Sequence, residues 1–198
     1  MLSEKAAHIT NDGVSITITR TPTSYTGKAT ISKFKGSNSD YTVQNRRLIN
    51  LLLASNLATG EIVTAGSESY LTVVSKKEVV QGTDISIIAH GMLCNTTLTV
   101  TRDVATDDDY DSDGNPIGSS TTTVINAAVC HAVQITGKMR ETDAGLLAST
   151  VMKTYSAITS GVVNGDKATV TGKYYRVDDI NLMEFPGCMV LQLSAWTG

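Results

Sequence analysis

One acidic stretch, TDDDYDSDGNPIGSS, carries the carboxylates whose spacing could bind a metal. Asp109, Asp111 and Asp113 alternate along it, and Gly114 follows. A calcium loop of the helix–loop–helix type opens in this way, with oxygen ligands at alternate positions before a glycine, and it ends on a bidentate glutamate at its twelfth position. Counted from Asp109, the twelfth position is Ser120, which cannot supply two carboxylate oxygens. The stretch therefore has the opening of a calcium loop without its closing ligand.

The flanks of this stretch favour a second interpretation. TTLTVTRDV before it and SSTTTVINAAV after it are patterns of β-strands, so no helix is predicted on either side. We interpret the stretch as the acidic tip of a hairpin, whose like charges keep its strands from pairing with foreign edges. A weak calcium site formed by Asp109, Asp111 and Asp113 stays as the alternative.

A second polar patch, GKMRETDAGLL, contains Lys138, Arg140, Glu141 and Asp143 just before a glycine. It has no neighbouring nucleophile or ligand set, and we interpret it as a solvated turn or a subunit contact. The chain contains no GxSxG, GxxxxGK[ST] or GxGxxG motif, and its three histidines have no metal-ligand spacing. We therefore predict a protein that is not an enzyme and has no cofactor.

The composition limits the class of protein. The chain has 198 residues, of which 41% are hydrophobic and 18% charged, so it can bury a core. Its net charge is −3 without a basic block, which argues against a dedicated nucleic-acid binder. No apolar run is long enough to span a bilayer, and the start of the sequence does not resemble a signal peptide, so we expect synthesis in a cytoplasm. The scattered residues Cys94, Cys130 and Cys188 are predicted to be buried free thiols.

Alternation of apolar residues with Ser and Thr, as in GVSITITRT, predicts a mainly β protein, an antiparallel β-barrel or sandwich. Two runs, NRRLINLLLASN and DAGLLASTVMKTYSAI, fit a short helix or a buried strand by pattern alone.

An internal repeat is the most informative pattern. TGEIVTAGSESYLTVV and NGDKATVTGKYYRVDD share a glycine, an acidic residue, a short strand, a glycine turn and a strand with an early tyrosine. Glycine supplies the turn of such a hairpin. The ambiguous runs precede these two hairpins, which favours strand for both. We predict two related β modules that arose by duplication, over residues 1–102 and 103–198, with a single compact domain formed by both as the alternative.

The second half of the chain resembles small neck proteins of tailed bacteriophages. A polar turn with Gly-Leu-Leu (140–147) precedes a strand, and Gly-Asp (165–166), a hairpin, Tyr-Arg-Val (175–177) and a closing strand after Gly187 follow. GEIVTAGSESYLTVV and CNTTLTVTRD likewise resemble phage connector and tail-completion sequences. The chain is nearly twice the length of a single module of this kind and has the acidic stretch in its middle.

The resemblance implies a structural virion protein of the head–tail junction, made in the host bacterial cytoplasm. It would form a homo-oligomeric ring of six or twelve copies that contacts the portal or adaptor protein, tail proteins and passing double-stranded DNA, and no membrane. A tail-terminator or tail-tube protein is one alternative, and a calcium-dependent β-sandwich binding module is the other. The candidates for contact with the lumen or a partner are Asp107, Asp108, Asp109, Asp111, Asp113, Lys138, Arg140, Glu141 and Asp143.

Overall fold

The computed structural model describes residues 2–20, 22–33, 45–110 and 116–197, and these are mainly β, as predicted. Its helices are α1 (Leu2–Asp12), a 3-10 turn (Leu53–Ser55) and α2 (Gly137–Thr142). Its strands are β1 (Val14–Thr19), β2 (Tyr25–Lys33), β3 (Arg46–Leu51), β4 (Ile62–Ala65), β5 (Glu68–Val80), β6 (Thr83–Leu93), β7 (Thr96–Tyr110), β8 (Pro116–Gln134), β9 (Met152–Ala157), β10 (Lys167–Val170), β11 (Lys173–Asn181) and β12 (Cys188–Ala195).

The chain divides into two compact units. The first comprises Met1–Asn95, Ser156–Ile158 and Leu182–Met189, and the second comprises the rest of the chain from Thr96 onwards. The main boundary between the two units therefore falls before β7, whereas the boundary expected at residue 102 lies inside that strand.

The strands β1 to β6 form a closed antiparallel barrel in the order β1-β2-β3-β6-β5-β4. Closure is made by β1 and β4, through the pairs Thr17↔Thr64 and Ile18↔Val63. Alternate side chains of these strands point inward, and the core includes the fully buried Ile18, Ile49 and Leu51.

The strands β7 to β12 form a second closed antiparallel barrel, and their order around it is the same. If β7 to β12 are matched in sequence order with β1 to β6, the strand order of the second barrel is β7-β8-β9-β12-β11-β10. This barrel is also closed by its first and fourth strands in sequence, β7 and β10. Its interior holds Val100, Val177 and Leu193, all with no exposed surface. The predicted pair of related β modules is thus found as two barrels of one topology.

The repeated hairpins occupy equivalent places in the two barrels. They are β4–β5 and β10–β11, and in each the tyrosine of the returning strand, Tyr70 or Tyr175, is buried. Both returning strands then shift register, between Thr72 and Val74 in β5 and between Val177 and Asp179 in β11. A bulge at the same place in both hairpins supports a common origin, because bulges are retained features rather than defects.

Both ambiguous runs contain a strand, β3 and β9, as the repeat indicated. Two helices were not predicted. The first is α1, whose Ile9 is buried while Lys5 pairs with Glu78 of β5. The second is α2, at the place where a solvated turn was expected, and it begins where the side chain of Thr136 accepts a hydrogen bond from the Met139 backbone N–H.

Candidate assembly surfaces

The hairpin of β7 and β8 continues past its barrel as a two-stranded ribbon. The pairs of β7 with β10 end at Thr101, whereas its pairs with β8 continue from Asp103↔Thr121 to Tyr110↔Pro116. We call the strand residues 103–110 and 116–121 the ribbon. The described residues of the acidic stretch therefore belong to two paired antiparallel strands, as expected of a hairpin, and residues 111–115 between them in the sequence lie outside the described part of the chain.

The ribbon is acidic and exposed where its side chains are described. Between residues 103 and 121 the sequence has six aspartates and no lysine or arginine. Asp103, Val104 and residues 119–121 are all exposed, and the Thr121 hydroxyl donates to Asp103 at 2.7 Å across the strands.

The predicted acidic candidates fall on or beside this ribbon. Asp107, Asp108 and Asp109 belong to the end of β7, while Asp111 and Asp113 lie outside the described residues. Within the described part of the chain, no group of three or more His, Cys, Asp or Glu side chains is placed to hold a metal ion.

The second predicted patch separates into exposed and structural residues. Lys138 and Glu141 are exposed on α2. Arg140 turns back toward the following loop and donates to the carbonyls of Leu147 at 3.5 Å and Ala148 at 3.1 Å. Arg140 therefore holds this loop, although its residue type and position had indicated a contact with solvent or a partner.

Asp143 forms an ion pair with a buried lysine. Its Oδ2 lies 3.0 Å from Nζ of Lys153, a side chain that is only 6% exposed, and its Oδ1 accepts from the Gly145 N–H. Nζ of Lys153 also lies 5.7 Å from the centre of the Tyr155 ring. Asp143 thus compensates a buried charge. Sequence reasoning did not reveal this ion pair.

Gln192 of β12 secures the same loop from the other side. Its Oε1 accepts from the Leu147 N–H at 2.9 Å and the Thr150 hydroxyl at 2.8 Å. Its Nε2 donates to the Gly145 carbonyl at 2.8 Å and to Asp179 at 3.1 Å. With the contacts of Arg140, this fixes residues 145–150 and leaves the Leu147 side chain 43% exposed.

An arginine–carboxylate pair recurs in both units. Arg20 donates to Glu61 at 2.7 Å and to the Ser55 carbonyl, and Glu61 also accepts from the Ala58 N–H. Arg102 and Asp166 repeat this arrangement, with the Gly161 carbonyl and the Val163 N–H as further partners.

The outer face of β10 and β11 carries a group of cationic and aromatic side chains. Nζ of Lys167 lies 4.0 Å from the centre of the Tyr174 ring and 5.5 Å from that of Trp196. Arg176 is 63% exposed beside them. We call Lys167, Tyr174, Arg176 and Trp196 the cation–aromatic patch. The signal in the sequence was YYRV, whose alternation places Tyr175 inward and Tyr174 and Arg176 outward.

Two further ionisable groups, in the first unit, have shifted pKa values. Burial raises the pKa of Tyr70 to about 12, with a further contribution from its hydrogen bond to Glu68. Burial also lowers the pKa of His90, and the nearby Arg46 and Lys76 add to this effect. His131 is buried, as expected of a structural histidine. Neither a depressed nucleophile pKa nor an activated base arises from these shifts.

Comparisons with known proteins do not assign the chain to a family. No family model and no curated protein matches it. Solved structures of K. pneumonia MrkH, in its apo state and in complex with c-di-GMP, align with 98% of this chain and with 83% and 84% of theirs, at 7% identity and TM-scores of 0.22 and 0.18. Scores this low carry no argument about this chain. Among the described residues, no helix has the length and hydrophobicity needed to cross a bilayer.

Proposed function

We propose that this chain is a structural subunit of the bacteriophage head–tail interface, which assembles into a ring that joins the portal to the tail and allows DNA to pass. The observation that carries the proposal is the ribbon. Its described side chains are exposed, and its strands pair only with each other among the described residues. A two-stranded ribbon without a core is marginally stable in water and gains stability when a partner covers it or adds a strand.

The closed barrels make the ribbon the natural place for assembly. A closed barrel has no free strand edge, so it does not pair with other chains along its strands. The ribbon has two such edges, and its aspartates disfavour indiscriminate pairing. The same negative charge suits a conduit for DNA, because a strongly basic surface would retain the phosphates. The resemblance to phage neck proteins supplies the biological setting.

The test is a variant in which residues 104–120 are replaced by an Asn-Gly turn between Asp103 and Thr121. The barrel pairs Val100↔Ile125 and Lys167↔Thr101 remain, so the variant should fold. We expect the full chain to form a closed ring when it is mixed with phage portal or tail proteins. Native mass spectrometry and electron microscopy detect this ring. The shortened variant should fold and fail to join the ring.

The identity of the required component separates the neck ring from its alternatives. Ring formation on the portal supports the connector role, whereas assembly only on tail-tube components supports a tail-terminator or tail-tube protein. A shortened variant that assembles as well as the full chain would contradict the role given to the ribbon.

A further inference from the structure

We infer that the cation–aromatic patch is the docking site for the acidic ribbon of a second copy of this chain. This inference rests on the proposed function, because it requires copies of the chain to meet. It adds the partner, the surface and the polarity of the contact, which is heterologous: the ribbon of one copy meets the patch of the next.

The register of the second barrel places the patch on one outer face. Lys167 pairs with Arg176 across β10 and β11, and Thr169 pairs with Tyr174. The residues between them, Ala168 and Tyr175, are buried in the barrel. Since alternate side chains of a strand point to opposite faces, the side chains of the patch point outward together.

The patch has the composition of an energetically important protein contact. Tyr174 is 56% exposed, and its ring and that of Trp196 flank the Lys167 ammonium group. Tryptophan, tyrosine and arginine are enriched among the residues that dominate binding energy. Their rigid rings provide contact area at a small cost in conformational entropy.

The fold itself does not require these residues. The equivalent positions of the first barrel follow from the shared hairpin register, in which Gly60 corresponds to Gly165 and Tyr70 to Tyr175. Lys167, Tyr174 and Arg176 then correspond to Ile62, Ser69 and Leu71, which form no cation–aromatic group. The patch is thus a property of the second unit alone.

Charge selects the ribbon as the occupant. Arg176 and Lys173 at the adjacent turn are exposed, Lys167 is partly buried, and the charge of Asp166 is compensated by Arg102. Arg176 also lies 3.8 Å from Asp178, a contact with a mostly buried carboxylate. The densest opposite charge in the sequence is the segment 103–113, with four aspartates in the ribbon and two, Asp111 and Asp113, directly after β7.

The dimensions allow the contact. A depression of about 290 Å³ lies at the patch, lined by residues that include Asp103, Lys167 and Trp196. The ribbon of the same chain therefore starts at the patch, and at about 3.3 Å per residue its far end at Tyr110 is about 23 Å further along the strand. The ribbon can thus reach a neighbouring copy, and a contact between two different surfaces repeats from copy to copy until a ring closes.

The experiment uses the single tryptophan of the chain as a reporter. One full-length variant, the acceptor, has the six aspartates of residues 103–113 (103, 107, 108, 109, 111 and 113) replaced by asparagine and keeps Trp196. The other, the donor, keeps the aspartates and carries Lys167→Gln, Arg176→Gln and Trp196→Phe. Emission then reports only on the patch of the acceptor.

We expect each variant alone to be monomeric, since each has lost one of the two surfaces. Mixed together, they should form a pair of two chains and no larger species, with a change in emission that saturates at one donor per acceptor. High salt should weaken the pair by about tenfold, as for other contacts guided by charge. A donor that also lacks the six aspartates is the matched control and should leave the emission unchanged.

Several outcomes overturn the inference. The first is a tryptophan emission of the acceptor that does not change when the donor is added, and the second is an equal change with the control donor. The third is a change with duplex DNA and none with the donor, which would assign the patch to nucleic acid. Circular dichroism establishes that each variant is folded. If Trp196→Phe impairs folding, a donor with Tyr174→Ser and Lys167→Gln is used, and the mass of the mixture is the readout.

The two proposals fail in different ways. If the variants pair as expected but the chain joins no portal or tail component, the docking surface stands and the proposed function fails. If the chain joins a ring with phage components and the patch variant joins it equally well, the function stands and the docking surface fails.

Discussion

Arg102 and Asp166 are joined by two hydrogen bonds, from Nε to Oδ1 at 2.7 Å and from Nη2 to Oδ2 at 2.8 Å. They occupy the same place in the second barrel as Arg20 and Glu61 in the first. In the second barrel Thr101, just before Arg102, pairs with Lys167, just after Asp166. In the first barrel Thr19, just before Arg20, pairs in the same way with Ile62, just after Glu61. The hydrogen bonds that Arg102 donates to Asp166 also raise the pKa of Arg102.

Loss of the arginine should therefore destabilise the second unit more than the first. Arg102→Met leaves the Asp166 side chain, which is 1% exposed, without its cation, whereas Arg20→Met leaves a Glu61 side chain that is 20% exposed. We expect Arg20→Met to lower the free energy of unfolding by about 1 kcal/mol and Arg102→Met to lower it further. Urea denaturation of the two variants checks this order, and an equal or reversed order contradicts it.

Replacement of Gln192 should release the loop of residues 145–150. Gln192→Ala removes the partners of the Leu147 N–H and the Thr150 hydroxyl, and we expect it to destabilise the protein by about 3 kcal/mol. The amide of Leu147 should exchange with deuterium faster in the variant. Ser194→Ala, which removes one hydrogen bond to Asp178, is the control and should leave that amide protected.

The turn between β10 and β11 can be improved. Thr171 and Gly172 have φ values of +52° and +74°, a turn that favours Asn-Gly and disfavours a β-branched residue. Thr171→Asn should therefore stabilise the protein by about 1 kcal/mol, seen as a higher midpoint of thermal unfolding. Gly172→Ala should shift that midpoint downward, and a decrease for both variants would show that the turn is held by other contacts.

Two free thiols, that of the buried Cys188 and that of Cys94, which is partly exposed and not buried as expected, should resist alkylation in the folded protein. Burial raises the pKa of Cys94 and of Cys188 to about 11. Only roughly one thiol in ten thousand at either site is then ionised at neutral pH, and the thiolate is the reactive form. Mass spectrometry after iodoacetamide treatment should show both cysteines unmodified in the native protein and modified in denaturant. Rapid labelling of the native protein at Cys188 would contradict the burial.

Calcium should not stabilise the protein. The acidic stretch lacks the closing ligand of a calcium loop, so saturating calcium is expected to leave the midpoint of thermal unfolding unchanged, as should magnesium at the same ionic strength. A ligand that binds the native state raises that midpoint. An increase specific to calcium, lost in Asp109→Asn, would instead favour the calcium-dependent binding module.

Local patterns in the sequence predicted the strands and the repeated hairpins, because alternation and turn glycines act over a few residues. They could not predict the pairs Arg20–Glu61 and Arg102–Asp166, whose members are 41 and 64 residues apart. These pairs form only when the first and fourth strands of each barrel close. Asp143 was missed as the partner of a buried lysine for a different reason, since the two residues are only ten apart but nothing near Lys153 in the sequence indicates its burial.

The closure of both barrels also bears on how such a protein evolves. Stability resides in two interiors to which the described ribbon side chains contribute nothing. Substitutions of these ribbon residues should therefore change the free energy of unfolding little. A lineage can then exchange one recognition sequence for another while its scaffold stays intact. Duplication would extend this freedom, because one barrel can diverge toward a new contact while its twin preserves the ancestral surface.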